Sequence, residues 1–230
     1  MRVPLELVCF DLAGTTVADD GAVLQAFRLA LQDLSVGGAD LEPMERYVIE
    51  TMGQSKIEVF THLFGSRAEE ANLAFERRFD EGVRAGGVRE IPGARAAFDA
   101  LVASGVAVAL TTGFSPATRD LLLDQLGWSS LPLVAISPAD AGRGRPTPDM
   151  VLTCALRCAV TSVAAVAVVG DTASDMQAGR RAGAGLCIGV RTGADAPSRL
   201  LEAGADVVCA SVAAVPELLG IDPVSAPGGR

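Results

Sequence analysis

Three aspartates and one threonine of this sequence follow short apolar runs, where polar side chains could do chemistry. Asp11 follows LVCF, Asp171 and Asp175 lie in GDTASD after VAVV, and Thr112 follows VAVALT. Carboxylates that converge repel one another unless a cation lies between them, and Mg²⁺ prefers oxygen ligands. We therefore predict a magnesium site where these side chains meet. The alternative is that each aspartate only caps the helix after its strand, as Asp175 could.

Histidine and lysine are nearly absent, which narrows the chemistry further. His62 is the only histidine, Lys56 is the only lysine, and 18 of the 19 basic residues are arginine. A Ser-His-Asp triad or a histidine base is therefore excluded unless His62 itself serves. Cys154 and Cys158 are four residues apart in the sequence, but no second pair of ligands accompanies them to complete a zinc site.

Composition limits the class of protein. The chain has 230 residues, 50% of them hydrophobic and only 4% aromatic, so alanine, valine and leucine must build the core. The net charge of −9 is unfavourable for a nucleic-acid partner, but it does not exclude a small anionic substrate. No apolar run reaches the roughly 18 residues of a membrane span, and no signal-type cleavage site is visible. We expect a soluble, cytoplasmic protein without nucleic-acid or membrane partners.

A parallel sheet would position the polar residues named above. Short, continuous apolar runs are typical of strands buried on both faces, and helical patterns alternate with them. The predicted strands are residues 5–10, 106–111, 133–136, 163–169, 186–190 and 206–210, and two predicted helices are 92–104 and 116–126. This alternation predicts an α/β fold with a doubly wound parallel sheet, whose ligands bind at the carboxyl ends of the strands.

One block interrupts the alternation of strands and helices. After residue 17 and up to about residue 90, the sequence has only amphipathic helical patterns, such as AVLQAFRLALQDL and AEEANLAFERRFDEG. A block of this length is too long for a loop, and we interpret it as an inserted all-helical cap over the sheet edge. The predicted organisation is a catalytic core of residues 1–16 and 91–222, a cap of residues 17–90, and a flexible tail of residues 223–230.

The motifs and their order resemble those of the haloacid dehalogenase-like superfamily of hydrolases over nearly the whole chain. The motifs are DLAGTT, ALTTG, GRPTPDM and GDTASD, with the helical insertion after the first of them. The resemblance implies that Asp11 is a nucleophile that accepts the phosphoryl group. It also implies that Thr112 holds a phosphoryl oxygen and that Arg145 pairs with the phosphoryl group.

The same resemblance implies Mg²⁺ as the cofactor. Its ligands would be Asp11, Asp171 and the backbone carbonyl of Ala13, and Asp175 would orient the waters of the metal. Most phosphatases of the superfamily carry an aspartate at the position of Ala13, and that aspartate protonates the leaving alkoxide. A methyl group cannot donate a proton, so either the leaving group needs none or another residue supplies it.

One branch of the superfamily, the phosphonoacetaldehyde hydrolases or phosphonatases, is similar in this feature. Its members share D-x-A-G-T-T, T-T-G and an arginine at the position of Arg145. They also carry Met-Gly-x-x-Lys in the cap, which reads Met52, Gly53, Gln54, Ser55, Lys56 here. The lysine of that branch forms an imine with the aldehyde substrate. The branch has a histidine three residues after this lysine, where the present chain has Val59.

Lys56 also has a chemical rationale of its own. Cleavage of a carbon–phosphorus bond leaves a carbanion, and a protonated imine one carbon away can delocalise its electrons. Arginine cannot form the imine, because its guanidinium stays protonated. The alternative for Lys56 is a solvated lysine on a helix surface. By resemblance, we expect these residues to be catalytic or to bind substrate: Asp11, Lys56, Thr112 and Arg145, and Ala13, Met52, Gly53 and Gly113.

Other functions remain open from the sequence. A phosphomonoester phosphatase for phosphoglycolate or a sugar phosphate could use water or a cap residue in place of the missing acid. A non-catalytic binding module is disfavoured by the complete set of motif residues, and a dehalogenase by the acidic pair that its chemistry does not need. We expect a small phosphonate or phosphate as the substrate, and we consider a homodimer as a candidate assembly.

Overall fold

The buried apolar runs form one six-stranded sheet in the computed structural model, which describes residues 3–221. The strands are β1 (Leu7–Asp11), β2 (Ala107–Thr111), β3 (Val134–Ile136), β4 (Val166–Gly170), β5 (Leu186–Val190) and β6 (Val207–Cys209). All pairs are parallel, and the order across the sheet is β3-β2-β1-β4-β5-β6. The order reverses between β1 and β4, so a crevice opens at the carboxyl ends of these central strands.

Helices alone form the block that follows β1. They are α1 (Ala22–Asp33), α2 (Leu41–Glu50), α3 (Lys56–Phe64) and α4 (Ala68–Arg84). The ring of Phe60 on α3 contacts Phe27 of α1 and Phe75 of α4, so these three helices share a core. Residues 18–89, all within the described range, contain no strand. These helices lie inside the predicted cap of residues 17–90, whose limits as a separate domain stay a prediction.

Two chain segments join this helical block to the sheet, and they run side by side. The amide of Ala18 donates a hydrogen bond to the carbonyl of Arg89 (2.9 Å), and the amide of Ile91 donates to the carbonyl of Thr16 (2.8 Å). The segments therefore leave and re-enter the core at one place, next to the end of β1.

The other helices cover both faces of the sheet, which confirms the doubly wound α/β prediction. Val8 and Phe10 of β1 face one side, where the ring of Phe98 lies 5.4 Å from that of Phe10. Leu7 and Cys9 face the other side and join a second apolar cluster. These helices are α5 (Ala94–Ala103), α6 (Pro116–Gln125), α7 (Pro138–Ala141), α8 (Asp149–Arg157), α9 (Ala173–Ala182), α10 (Pro197–Glu202) and α11 (Val215–Leu218).

Some predicted element ends are wrong. The predicted strand 163–169 begins as a 3-10 helix (Val163–Ala165), and the strand itself is Val166–Gly170. The Ser162 hydroxyl accepts a hydrogen bond from the amide of Ala164, and this local bond competes with an extended backbone. The predicted tail of residues 223–230 lies outside the described residues. Within residues 3–221, no helix combines the length and apolar character that a membrane crossing would need.

Candidate active site

Three buried carboxylates meet at the carboxyl edge of the sheet. Asp11 is the last residue of β1, Asp171 follows β4, and Asp175 lies in the first turn of α9. One carboxylate oxygen of each lies within 4.8 Å of the others, and none of the three residues is more than 4% exposed. The structure thus brings together the aspartates that the sequence predicted to converge. Clustered oxygen donors of this kind suit Mg²⁺.

Two hydrogen bonds hold the carboxylate of Asp171 in place. The hydroxyl of Thr15 donates to its Oδ1 (2.8 Å), and the amide of Ala194 donates to its Oδ2 (2.8 Å). A Cβ atom on Gly14 or on Gly193 would overlap this carboxylate. The turn after β1 and the loop after β5 therefore enclose Asp171 at positions where only glycine fits.

Asp175 caps α9 and also belongs to the carboxylate cluster. Its Oδ2 accepts hydrogen bonds from the amide (3.1 Å) and the hydroxyl (2.5 Å) of Thr172, which form a capping box. Its Oδ1 forms an ion pair with Arg145. Asp175 therefore caps α9, but it does not only cap, because its second oxygen pairs with Arg145 within the carboxylate cluster.

Arg145 lies buried among these carboxylates. Its Nη1 donates to Oδ1 of Asp11 (2.6 Å) and also contacts Asp175. Within residues 3–221 its Nε finds no hydrogen-bond partner, although it is buried. A buried donor without a partner costs about 1–3 kcal/mol, and a guanidinium donor bonds strongly to an anionic oxygen. Arg145 therefore combines a fixed position beside Asp11 with an unused donor that suits an anionic ligand.

Burial changes the protonation of the carboxylate cluster. Burial raises the pKa of Asp11 to about 7, with Arg145 opposing the rise and Asp175 adding to it. Burial also holds the pKa of Asp171 well above its ordinary value, and the charges of Asp11 and Asp175 act in the same direction. A divalent cation would favour the ionised form of both carboxyls, since an opposite charge nearby stabilises the anion. The donor set therefore fits Mg²⁺, whose charge would favour the ionised forms of Asp11 and Asp171.

Lys56 lies at the start of α3 and faces the same cavity as the carboxylates. Its amide donates to the carbonyl of Gly113 (3.0 Å), and its Nζ lies 5.6 Å from the centroid of the Phe114 ring. Removal from water lowers the pKa of Lys56 to about 8, and the positive charge of Arg145 acts in the same direction. Lys56 is therefore partly buried against the cavity wall, and it is not the solvated helix lysine of the alternative.

A cavity of about 460 Å³ lies between the helical block and the sheet edge. Asp175 does not line this cavity, although its carboxylate belongs to the cluster of three and pairs with Arg145 on the wall. The wall includes the other residues that the sequence analysis named as catalytic, substrate-binding or metal-binding, namely Asp11, Ala13, Met52, Gly53, Lys56, Thr112, Gly113, Arg145 and Asp171.

The segment before α3 makes close contacts with the core. A Cβ atom on Gly53 would overlap the side chain of Thr172, and one on Gly113 would overlap the carbonyl oxygen of Gln54. These two glycines allow the backbones of the helical block and the core to approach within contact distance. The helical block therefore contacts the core beside the carboxylates, and Lys56 lies on the wall of the same cavity.

Several residues that contribute to the site were not predicted. Thr15 orients Asp171 and could have been found, because it belongs to the G-T-T motif that was already recognised. Asp19 and Phe114 line the cavity, and the amide of Ala194 holds Asp171. These three carry no signal in the sequence, since their role depends on how the loops fold over the sheet edge.

Fold and site together define an α/β protein with a helical block beside a buried carboxylate cluster at the carboxyl edge of its sheet. A sequence model of the haloacid dehalogenase-like hydrolase family matches residues 5–183. The chain belongs to this family and is a hydrolase.

Similar proteins include both phosphonoacetaldehyde hydrolases and a probable phosphatase. A phosphonoacetaldehyde hydrolase of Hahella chejuensis is 29% identical over 198 residues, which are 79% of this chain and 67% of the relative. A probable phosphatase (IndB) of Dickeya dadantii is 29% identical over 210 residues, which are 88% of each chain. The crystal structure of a phosphonoacetaldehyde hydrolase-like protein from Oleispira antarctica superposes with a TM-score of 0.81, at 25% identity, covering 95% of this chain and 92% of that one.

Proposed function

We propose that this hydrolase cleaves the carbon–phosphorus bond of phosphonoacetaldehyde or a close analogue and requires Mg²⁺. The observation that carries the proposal is Lys56, the only lysine of the chain, on the wall of the cavity that also holds Asp11. Its lowered pKa leaves a useful fraction of free amine near neutral pH. Relatives named phosphonoacetaldehyde hydrolase support the same reading.

Mg²⁺ would be held by Asp11, Asp171 and the backbone carbonyl of Ala13, with Asp175 behind them. When bound, it offsets negative charge on the phosphoryl oxygens, which otherwise repel an attacking carboxylate. The Nε donor of Arg145 is available to a phosphoryl oxygen, and Thr112 lines the same cavity.

The carbon–phosphorus step uses two residues of the chain in sequence. The amine of Lys56 forms an imine with the aldehyde carbon, and this imine is protonated on nitrogen. As the carbon–phosphorus bond breaks, its electron pair moves into the imine and gives an enamine, while phosphorus bonds to the carboxylate of Asp11. Water then releases phosphate from Asp11. The enamine carbon takes a proton from solvent, and hydrolysis of the imine that this restores releases the aldehyde product from Lys56. No acid is needed at Ala13, because the leaving carbon is stabilised by the imine.

A phosphomonoester phosphatase is the second candidate function. It is favoured by the relative named as a probable phosphatase, which matches this chain over 88% of its length. The same carboxylates and Arg145 would serve an ester, but Ala13 could not protonate its leaving alkoxide. Lys56 would then have no covalent role.

Reductive trapping separates the two candidates. Incubation with phosphonoacetaldehyde, Mg²⁺ and borohydride should inactivate the protein and add the mass of the reduced adduct at Lys56. Lys56→Arg keeps the charge, removes the nucleophile and should give neither adduct nor carbon–phosphorus cleavage. Phosphate release from phosphoglycolate or sugar phosphates, without any adduct and without loss in Lys56→Arg, would support the phosphatase instead.

A further inference from the structure

Imine formation at Lys56 requires a group that moves protons, and the chain has few candidates for it. This inference rests on the proposed function. His62, the only histidine, is exposed and stacks on the ring of Tyr47 at 4.2 Å, away from the cavity wall. Val59, one helical turn after Lys56, is 5% exposed in the apolar core of the cap and cannot transfer a proton. Among the described residues that line the cavity, the carboxylates are the side chains best suited to accept and return a proton near neutral pH.

Within residues 3–221, four carboxylates line the cavity, and three of them already have another partner or role. Asp11 and Asp171 belong to the metal-binding cluster. Asp20 pairs with Arg89 (2.9 Å), and its side chain is 59% exposed. The fourth is Asp19, which precedes α1 and is partly buried.

Two hydrogen bonds hold the carboxylate of Asp19 in place, and its remaining acceptor sites can still bind a proton donor. Its two oxygens accept hydrogen bonds from the amides of Gly21 (3.3 Å) and Val23 (3.1 Å), at the start of α1. A carboxylate has about four acceptor sites, so these two bonds orient it and leave capacity toward the cavity. Its charge also acts on Lys56: it opposes the lowering of the pKa of Lys56 more strongly than Asp11 or Asp171 does.

We propose that Asp19 is the proton-transfer residue for imine formation at Lys56. The amine nitrogen bonds to the aldehyde carbon, and the carbonyl π electrons move to oxygen. The Asp19 carboxylate accepts the surplus proton from nitrogen and returns it to that oxygen, which gives a carbinolamine. A second proton, supplied by water through Asp19, lets the hydroxyl leave as water, and the nitrogen lone pair completes the protonated imine.

The experiment compares the rate of adduct formation in Asp19→Asn and wild type. Asparagine keeps an acceptor for the amide of Val23, so the thermal midpoint and Mg²⁺ affinity should stay at wild-type values. With phosphonoacetaldehyde and cyanoborohydride, trapping at Lys56 should be on the order of 10²-fold slower in Asp19→Asn. Asp99→Asn removes an exposed charge of the same sign outside the cavity and should trap at the wild-type rate. In Asp19→Ala, added formate or acetate should restore part of the rate.

The direction of the change separates proton transfer from a purely electrostatic role. If Asp19 acted only through its charge, its removal would lower the pKa of Lys56 further, and trapping near neutral pH would become faster. Trapping in Asp19→Asn that equals or exceeds the wild-type rate overturns the assignment of Asp19. If wild type forms no Lys56 adduct at all, the imine function itself fails, and the role of Asp19 fails with it.

Discussion

Asp11 ends the central strand with its carboxylate between Arg145 and the two other aspartates, and its replacement tests the nucleophile. Asp11→Asn should lower phosphate release by at least about 10³-fold, because an amide is a poor nucleophile and a weaker metal ligand. The measurement is phosphate release from phosphonoacetaldehyde with Mg²⁺, alongside the thermal midpoint. Asp99→Asn, in which an exposed surface pair is lost, is the matched control and should keep full activity. Turnover near the wild-type rate would remove Asp11 from the mechanism.

The lowered pKa of Lys56 predicts how its reaction depends on pH. Only the free amine attacks an aldehyde, so the rate should rise with pH through the pKa of about 8 and become level above it. Roughly one tenth of Lys56 is free amine at pH 7 with this pKa, against less than about a thousandth for an ordinary lysine. Adduct formation with cyanoborohydride should therefore rise nearly tenfold per pH unit below pH 7.

Lys56→Arg is the control for this pH dependence, since its guanidinium stays protonated throughout the range. The variant should form no adduct at any pH between 6 and 9. A wild-type profile that kept rising steeply to about pH 10, the ordinary lysine pKa, would contradict the burial of the ammonium group.

At the residue scale, the sequence predicted which side chains meet but not how each is held. The three aspartates, Thr112 and Lys56 follow from strand ends and one cap motif. The position of Arg145 between Asp11 and Asp175 could not be predicted, because it depends on a loop that folds back over the sheet edge.

At the element scale, the contact between Gly113 and the segment before α3 seats the cap over the site. Gly113→Ala should lower kcat/KM by about 10- to 100-fold, because the added Cβ would overlap the carbonyl oxygen of Gln54 and displace Lys56. The backbone of Gly113 is not left-handed, so the core itself accepts alanine without strain. The measurement is kcat/KM together with circular dichroism.

Gly37→Ala is the matched control for the seating of the cap. Gly37 has an extended backbone with φ −169°, and nothing lies within 4 Å of an added Cβ. Both variants should fold like the wild type, and only Gly113→Ala should lose activity. Equal activity in the two would show that close seating of residues 52–56 is not needed for turnover.

Periodicity predicted the existence of the elements better than their ends. The helices of the inserted block were visible as amphipathic patterns, and Lys56, which was expected in this block, begins α3. The predicted start of the strand 163–169 was wrong, because the hydroxyl of Ser162 accepts a hydrogen bond from the amide of Ala164 and favours a helical turn. The pattern of apolar residues does not reveal a local hydrogen bond of this kind.

At the scale of the whole molecule, the site exists only when distant parts of the chain assemble. The residues that line the cavity come from many places in the sequence, the first being Asp11 and the last Ala194. The helical block supplies Lys56, and the ends of the strands supply the carboxylates. The fold class was predictable because parallel strands bring their carboxyl ends to one edge. The seating of the cap was not, since it depends on glycine contacts between segments far apart in sequence.

Mg²⁺ should stabilise the whole molecule, because the carboxylate cluster that would hold it exists only in the folded state. At a concentration about 100 times the dissociation constant, the expected gain is about 2.7 kcal/mol. Thermal unfolding should shift upward with Mg²⁺ and return with EDTA, which should also abolish turnover. Asp171→Asn should lose most of this shift, whereas Asp99→Asn should retain it.

The Mg²⁺ shift should also depend on pH, with a sign set by the raised pKa of Asp11. Without metal, the folded state holds the Asp11 proton more tightly than the unfolded chain does. This carboxyl therefore favours folding at low pH, and its contribution is lost as pH rises toward about 7. Because protons compete with the cation, stabilisation by Mg²⁺ should be small near pH 5, grow through about pH 7 and then become level. An equal Mg²⁺ shift at pH 5 and pH 8 would mean that Asp11 does not bind the metal.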